Sequence, residues 1–375
     1  MRAGRLWAAL APVVLLSGCA GPATALLPYA REIEQTALME ALAVDLAPEG
    51  VRATASSSAR AGTEGAPGGE PLVLQSAAET VAAACGRMQT YGADNVFFGD
   101  VEHVLLGEEL AEEGLWDLLG HMARDPELRL EAELWVVEGE AAGALFDAAG
   151  DGGAPARLSA LEDDARLLGA PAPKTAREAL AELLQDGCTL LPLLAREEVR
   201  EGQGLQGEGT AAQSGYALFR GGRLAGMARE KEAHGMDLLL DRGEGRLLAL
   251  SAPDGRETSL RLAQVRTAVR PVFQEGALTG LSVTCRIQAE VAELRGGGMD
   301  EALRSWLEAQ AAREAGESIA AALALCQRLE CDCLHLGPRA ALAVPWEKEA
   351  LKEQWPAAFA GLELQLDVQA AVARM

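Results

Sequence analysis

Basic residues are scarce in this sequence. Lysine and arginine number 33 against 56 aspartates and glutamates, which gives the 375-residue chain a formal net charge of −23. Nucleic acid phosphates require a basic protein surface, so this charge argues against nucleic acid as a partner. Such a surface would also repel anionic membrane lipids. Any attachment to a membrane therefore has to come from acyl chains or from a protein partner.

Long apolar runs are also missing after the N-terminus. The run from Leu6 to Leu16 is shorter than the ~20 residues that a membrane-spanning helix needs. Arg2 and Arg5 precede this run, as in an export signal. Beyond Cys19, charged residues interrupt every apolar run within a few positions. The sequence therefore predicts an exported chain whose membrane contact lies at its N-terminus.

The stretch Leu16-Ser17-Gly18-Cys19 follows this run. Small residues leading into a cysteine are similar to the lipobox of bacterial lipoproteins. We expect residues 1–18 to be removed as a signal peptide, Cys19 to be the lipidation site, and residues 19–30 to form a lipid-anchored spacer. The alternative is a simple secretory signal in which the cysteine is incidental.

Motifs of common catalytic and phosphate-binding sites are missing. No G-x-S-x-G sequence occurs, and His103, His121 and His234 stand apart from any nucleophile motif. The glycines at 296–298 lack the Lys-Ser/Thr pair of a phosphate-binding loop. We therefore expect a chain that is not an enzyme, with no catalytic residue, cofactor or metal.

Six cysteines follow Cys19, and most are expected to be small buried hydrophobes. They are Cys85, Cys188, Cys285, Cys326, Cys331 and Cys333. The last three and His335 form C-x4-C-x-C-x-H, and on a strand Cys331, Cys333 and His335 would share one face. Zinc sites usually take cysteine pairs from C-x2-4-C knuckles, which are absent here. A structural strand over residues 332–336 is favoured, and a metal or redox role stays open.

Composition and periodicity divide the rest of the chain into three parts. We predict an N-terminal α/β domain over 31–202, a small middle domain over 203–258 and a C-terminal α+β domain over 259–375. The glycine-rich, polar stretch 203–214 is the best candidate boundary. Strict alternation over 281–294 predicts a long strand, whereas the spacing of 299–329 predicts a helix broken or shifted near Gly316. Apolar spacing over 31–47 fits a helix or a strand equally.

Several further stretches follow one another in a characteristic order. They are residues 91–100, 103–111, 114–119 and 124–129, the hairpin 215–226 with 232–235, and then Cys326-Gln-Arg-Leu, Asp332, Pro345-Trp346, Trp355 and Phe359. In this order, behind a lipobox, they resemble the Ger(x)C spore germination lipoproteins, the C subunits of nutrient-germinant receptors. The resemblance covers most of residues 31–370. It departs from the family where Ala20-Gly21 replaces a common Trp-Asp pair, and at Cys331 and Cys333.

This resemblance implies both a fold and a role. The fold would be α+β, with three consecutive mixed α/β domains whose mostly antiparallel or mixed sheets are flanked by helices. The role would be that of a non-enzymatic subunit in receptor assembly and germination signalling. The Cys19 lipid would hold it on the outer face of the spore inner membrane, beside the integral-membrane A and B subunits. Two other classes stay open: an exported solute-binding lipoprotein of a transport system, and a lipid-anchored hydrolase, which the missing nucleophile motifs disfavour.

Overall fold

Two large β-sheets organise the chain. The computed structural model describes residues 36–59, 69–91, 95–146, 153–197 and 210–373. The predicted signal peptide, the spacer 19–30 and Cys19 lie outside the described residues. Among the helices in the described ranges, none is both long enough and apolar enough to cross a bilayer.

The strands of the first half form one mixed sheet and a small satellite. In chain order they are β1 (Thr36–Leu38), β2 (Ala41–Ala47), β3 (Gly50–Ser56), β4 (Val73–Ala78), β5 (Asn95–Phe97), β6 (His103–Gly107), β7 (Glu133–Val137), β8 (Lys174–Thr175), β9 (Cys188–Glu197), β10 (Thr210–Arg220) and β11 (Arg223–Arg229). The nine-stranded sheet has the order β11-β10-β9-β7-β6-β2-β3-β4, with β8 beside β7. Strands β1 and β5 pair separately in parallel.

The centre of this sheet is parallel. Four adjacent strands, β2, β6, β7 and β9, all run in the same direction. All five residues of β6 and the first seven of β9 are buried. Continuous apolar runs of this kind are typical of strands covered on both faces. The ambiguous stretch 31–47 contains the two strands β1 and β2. The first five residues of β2 are all buried, so no alternation distinguishes this strand from a helix.

Helices cover both faces of the first sheet. They are α1 (Val81–Met88), α2 (Glu108–Glu113), α3 (Trp116–Met122), α4 (Gly153–Leu168) and α5 (Ala176–Asp186). Four of them pack on one face, and α4 packs on the other with the 3-10 turn Ala142–Phe146. Helix α5 begins with a capping box between Thr175 and Glu178 and ends at Gly187, whose φ of 72° suits glycine.

The second sheet has four strands and carries the remaining helices. The strands are β12 (Leu247–Ser251), β13 (Glu257–Gln274), β14 (Ala277–Arg295) and β15 (Glu363–Val372), in that spatial order. The helices are α6 (Glu230–Leu239), α7 (Glu301–Arg328), α8 (Leu336–Ala343) and α9 (Lys348–Ala358). Neighbouring strands are antiparallel, except that β15 joins β14 in parallel. The mixture of helices and mixed sheets confirms the α+β class.

Two details of the C-terminal half differ from the sequence predictions. Helix α7 continues through Gly316, where a side chain would only reach ordinary contact with Leu366 and Val368. The predicted strand over 332–336 is wrong: the chain turns there and α8 begins at Leu336. The Asp332 carboxylate causes this, because it accepts the backbone N–H groups of Leu336 at 2.8 Å and Gly337 at 2.9 Å and so caps the helix.

The two sheets share a hydrophobic core. Leu190, Tyr216 and Leu218 on one face of the first sheet pack in the same buried cluster as α6, α7 and the second sheet. Strands β10 and β11 lie in the first sheet and β12 in the second, so the stretch 203–258 contributes to both. The predicted domain boundaries stay predictions. The contact between the sheets brings together residues far apart in sequence.

Candidate functional site

The densest group of reactive side chains lies where α5 and β9 meet the turn between α7 and α8. We call it the seam cluster, and it consists of Glu182, Asp186, Cys188, Cys326, Cys331, Cys333 and His335. The first three come from the N-terminal half and the others from the last fifty residues. All four thiols are buried. The cluster therefore joins two distant parts of the chain.

The thiols of the seam cluster form a continuous row. The neighbouring Cys331 thiol and burial both raise the pKa of Cys188. The Sγ atoms of Cys326 and Cys333 lie 3.8 Å apart, and this contact raises the pKa of Cys333 well above its usual value. Cys331 also donates to the Phe219 carbonyl at 3.2 Å. Protonated, buried thiols of this kind are poor nucleophiles.

His335 points away from the thiols and binds carboxylates instead. Its Nδ1 lies 2.8 Å from Asp186 Oδ2, and its Nε2 lies 3.2 Å from Glu182 Oε2. Burial opposes protonation of the ring, but the adjacent Glu182 carboxylate outweighs it and raises the pKa of His335. Burial likewise opposes ionisation of Glu182, yet its bonds with His335 and Lys174 lower its pKa to about 2. His335, whose protonated form the two carboxylates stabilise, thus connects α5 to the start of α8.

The C-x4-C-x-C-x-H pattern is therefore not a single donor set. Its cysteines face the core and its histidine faces α5. Within the described ranges, no group of three or more histidine, cysteine, aspartate or glutamate side chains has a geometry that could hold a metal ion. The expectation that Cys331, Cys333 and His335 share one strand face is wrong, because the Asp332 cap replaces the strand with a turn and a helix.

A second buried polar group lies beneath the seam. The Tyr216 hydroxyl donates to Asp237 Oδ1 at 2.6 Å, and both side chains are buried. Burial raises the pKa of Asp237 to about 7. Burial also lowers the pKa of the nearby His234 on α6 to about 3. The sequence gave no local signal for Asp237, which lies within a buried stretch of α6.

His103 has neighbours that the sequence did not reveal. Its Nε2 lies 3.2 Å from Ser159 Oγ, and its Nδ1 lies 3.5 Å from Glu133 Oε2. The Trp135 indole N–H, which can only donate, points at the same Nδ1 from 3.4 Å. A neutral ring that accepts from Trp135 at Nδ1 carries its proton on Nε2 and donates to Ser159, which is the reverse of what a base activating a serine requires. We interpret the group as a buried hydrogen-bond network.

A surface cavity of about 470 Å³ opens at the carboxyl ends of β2 and β6. Five of its eleven lining residues are acidic, Glu108, Glu109 and Glu140 among them, and Arg52 is the one basic residue of the lining. Buried Asp45 closes it on one side and accepts the backbone N–H groups of Ala142 at 2.6 Å and Gly143 at 3.1 Å. Its carboxylate thus fixes the loop after β7. Ligand pockets are usually apolar with a few polar groups, which this cavity is not.

Comparisons with known proteins identify what the chain resembles. A family model described as "Spore germination protein N-terminal domain" matches residues 29–196. A second, described as "Spore germination B3/ GerAC like, C-terminal", matches residues 214–375. A solved structure titled "Crystal Structure of the GerBC protein" has a TM-score of 0.56 and 16% identity, covering 89% of this chain and 97% of that one. The likeness to this structure shows the fold. A search of curated proteins finds no match.

Proposed function

This chain belongs to the GerAC-type spore germination proteins, and we propose that it is a non-enzymatic, lipid-anchored subunit of a spore germinant receptor. The observation that carries the proposal is the pair of family matches, to residues 29–196 and 214–375. Both parts of the family architecture are therefore present in one chain, in the expected order. The predicted lipobox at residues 16–19 lies in front of them.

We propose that Cys19 carries the lipid and that the chain sits on the outer face of the spore inner membrane. A single acyl chain binds a membrane only marginally, so stable attachment needs a second contact. Because its net charge is −23, the chain gains no electrostatic attraction to anionic lipids. Integral-membrane partner subunits are then the natural second contact. In this account the chain's work is receptor assembly and germination signalling.

The experiment that tests the anchor is membrane fractionation of spores that produce Cys19→Ala. We expect the variant to leave the membrane fraction, and spores that carry it to lose most of their response to nutrients. Cys85→Ala is the matched control, because it also removes one thiol but leaves the lipobox intact. Tight membrane association of Cys19→Ala would contradict the acyl anchor as the main attachment.

A further inference from the structure

Four of the six cysteines that follow Cys19 lie in one unbroken row. The Cys331 thiol donates to the Phe219 carbonyl on β10 at 3.2 Å, and Cys188 pairs with Arg220, the next residue of that strand, so Cys331 and Cys188 are neighbours. Cys333 follows Cys331 by two residues. Cys333 lies 3.8 Å from Cys326, measured between the Sγ atoms. The order in space is therefore 188, 331, 333 and 326. Cys85 and Cys285 lie outside this row, since Cys85 belongs to α1 and Cys285 lies on β14, where it pairs with Thr267 of β13.

The backbone already holds Cys326 and Cys333 close together. The N–H of Cys331 donates to the carbonyl of Cys326 at 2.9 Å, which closes the turn at the end of α7. Cys333 follows two residues later on the inner side of this turn. A disulfide needs the two sulfur atoms about 2.05 Å apart and the Cβ atoms about 4 Å apart. From a sulfur separation of 3.8 Å, a side-chain rotation with a small backbone shift reaches that geometry.

Only one arrangement of two bonds uses all four thiols and joins only neighbours in the row. It links Cys188 to Cys331 and Cys326 to Cys333. A bond between Cys331 and Cys333 would leave Cys188 and Cys326 without a partner, because these two lie at opposite ends of the row. Cys188 lies within the first family match and Cys331 within the second. The first bond of this arrangement therefore ties the two halves of the chain together.

We propose that the four thiols are a disulfide-forming site in the exported chain, with the pairs Cys188–Cys331 and Cys326–Cys333. Disulfides form and persist outside the cytoplasmic membrane, where the predicted signal peptide would deliver this chain. The proposal rests on export and not on the receptor role. The Cys188–Cys331 pair fastens the turn before α8 to β9, and the Cys326–Cys333 pair closes that turn onto the end of α7.

Each bond forms by two thiol–disulfide exchanges with an exogenous disulfide, on an exported oxidoreductase or a small molecule. The first cysteine thiolate attacks that disulfide, forms a mixed disulfide and releases one thiol. The second cysteine then attacks its partner's sulfur and releases the other thiol. Two S–H bonds break and one S–S bond forms, and the exogenous disulfide takes up the two electrons and two protons. Because the thiols are fully buried in the folded chain, we expect these steps before the seam closes.

The test is non-reducing peptide mapping of the full chain recovered from spores. Free thiols are alkylated at acidic pH before purification, so that later oxidation cannot contribute. Trypsin places Cys188 in peptide 178–196, Cys326 in 314–328, and both Cys331 and Cys333 in 329–339. We expect one species in which all three peptides are linked, which separates into three on reduction. The peptides that carry Cys85 and Cys285 should be alkylated.

Two variants check the pairing, because Cys331 and Cys333 share one peptide. In Cys331→Ala, peptides 314–328 and 329–339 should stay linked while 178–196 is released. In Cys333→Ala, peptides 178–196 and 329–339 should stay linked while 314–328 is released. The reverse pattern in either variant would contradict the assigned pairs. Recovery of all three peptides singly from the natural chain would overturn the proposal. Three states of the chain would give this result: free thiols that become alkylated, thiols that hold a metal ion, and a bond between Cys331 and Cys333. None of these outcomes bears on the receptor role.

Discussion

His335 Nδ1 lies 2.8 Å from the carboxylate of Asp186, a residue 149 positions away in sequence. The bond crosses the seam between the two halves of the chain. The backbone of His335 is in the left-handed conformation, with a φ of 52°, directly before α8. Its ring also faces Glu182 at 3.2 Å. This one side chain therefore makes the contact between the halves sensitive to pH.

We predict that His335→Gln loses stability in a pH-dependent way. The folded-state pKa of His335 is raised above 6.5, so its stabilising contribution is complete below about pH 6.5 and disappears as the pH rises through the folded value. The variant should be less stable than the natural chain by roughly 1.5–3 kcal/mol at about pH 6, the range for a hydrogen bond to a charged group. The difference should be much smaller at about pH 9. Urea unfolding at both pH values measures it.

His121→Gln is the matched control for this experiment. His121 is also next to an aspartate, with Nε2 3.8 Å from Asp125, but both residues belong to the same local segment. Its loss should therefore cost less than about 1 kcal/mol at either pH, as expected for a weak ion pair. A His335→Gln difference that is the same at both pH values would contradict the assignment of a charged histidine at the seam.

Tyr216→Phe should destabilise the shared core of the two sheets. The hydroxyl is the donor to Asp237 Oδ1 at 2.6 Å, and its hydrogen bond lowers the pKa of a carboxyl that burial raises to about 7. Without the hydroxyl, ionised Asp237 loses its hydrogen-bond donor, so the free energy of unfolding should fall by about 1–3 kcal/mol at about pH 8. The decrease should be smaller at about pH 5, where Asp237 is protonated and uncharged. Tyr91→Phe, at an exposed position, should change little.

Gly235→Ala should disturb the packing of α6 against α7. A Cβ at this position would lie 2.0 Å from the Ser318 carbonyl oxygen and 2.8 Å from the Ala322 side chain. The two helices would have to separate, and overpacking of this kind costs about 1–3 kcal/mol. Gly86→Ala is the control within a helix, because nothing lies within 4 Å of its added Cβ. It should stabilise α1 by up to about 1 kcal/mol, and thermal unfolding of both variants distinguishes the two cases.

The sequence predicted the elements whose burial follows a simple period. Alternating residues from Leu281 to Leu294 lie in β14, and the apolar spacing after Met299 gives α7, because a single buried face leaves a clear pattern. Strand β2 was ambiguous since both faces of the sheet are covered there. The turn at Asp332 could not be predicted, because it depends on the Asp332 carboxylate, which also accepts a hydrogen bond from Trp355 Nε1 at 3.0 Å. That contact exists only once α9 has packed.

The candidate site was predicted less completely than the fold. The spacing of Cys326, Cys331 and Cys333 drew attention to the right turn, but it pointed to a strand face. Cys188 and Asp186 come from a distant helix and strand, and one sequence carries no signal that they would meet this turn. The pairing of Ser159 with His103 is hidden for the same reason. Tertiary packing, not local spacing, selects these partners.

The central claim is that the chain is a subunit of a germinant receptor in the spore membrane. Its most direct test is affinity purification of the tagged full chain from detergent-solubilised spore membranes, followed by mass spectrometry. The account predicts that two integral-membrane receptor subunits co-purify in comparable amounts with the natural chain, and that Cys19→Ala recovers them poorly. Co-purification with a transporter permease and its ATPase would contradict it and support a solute-binding lipoprotein instead.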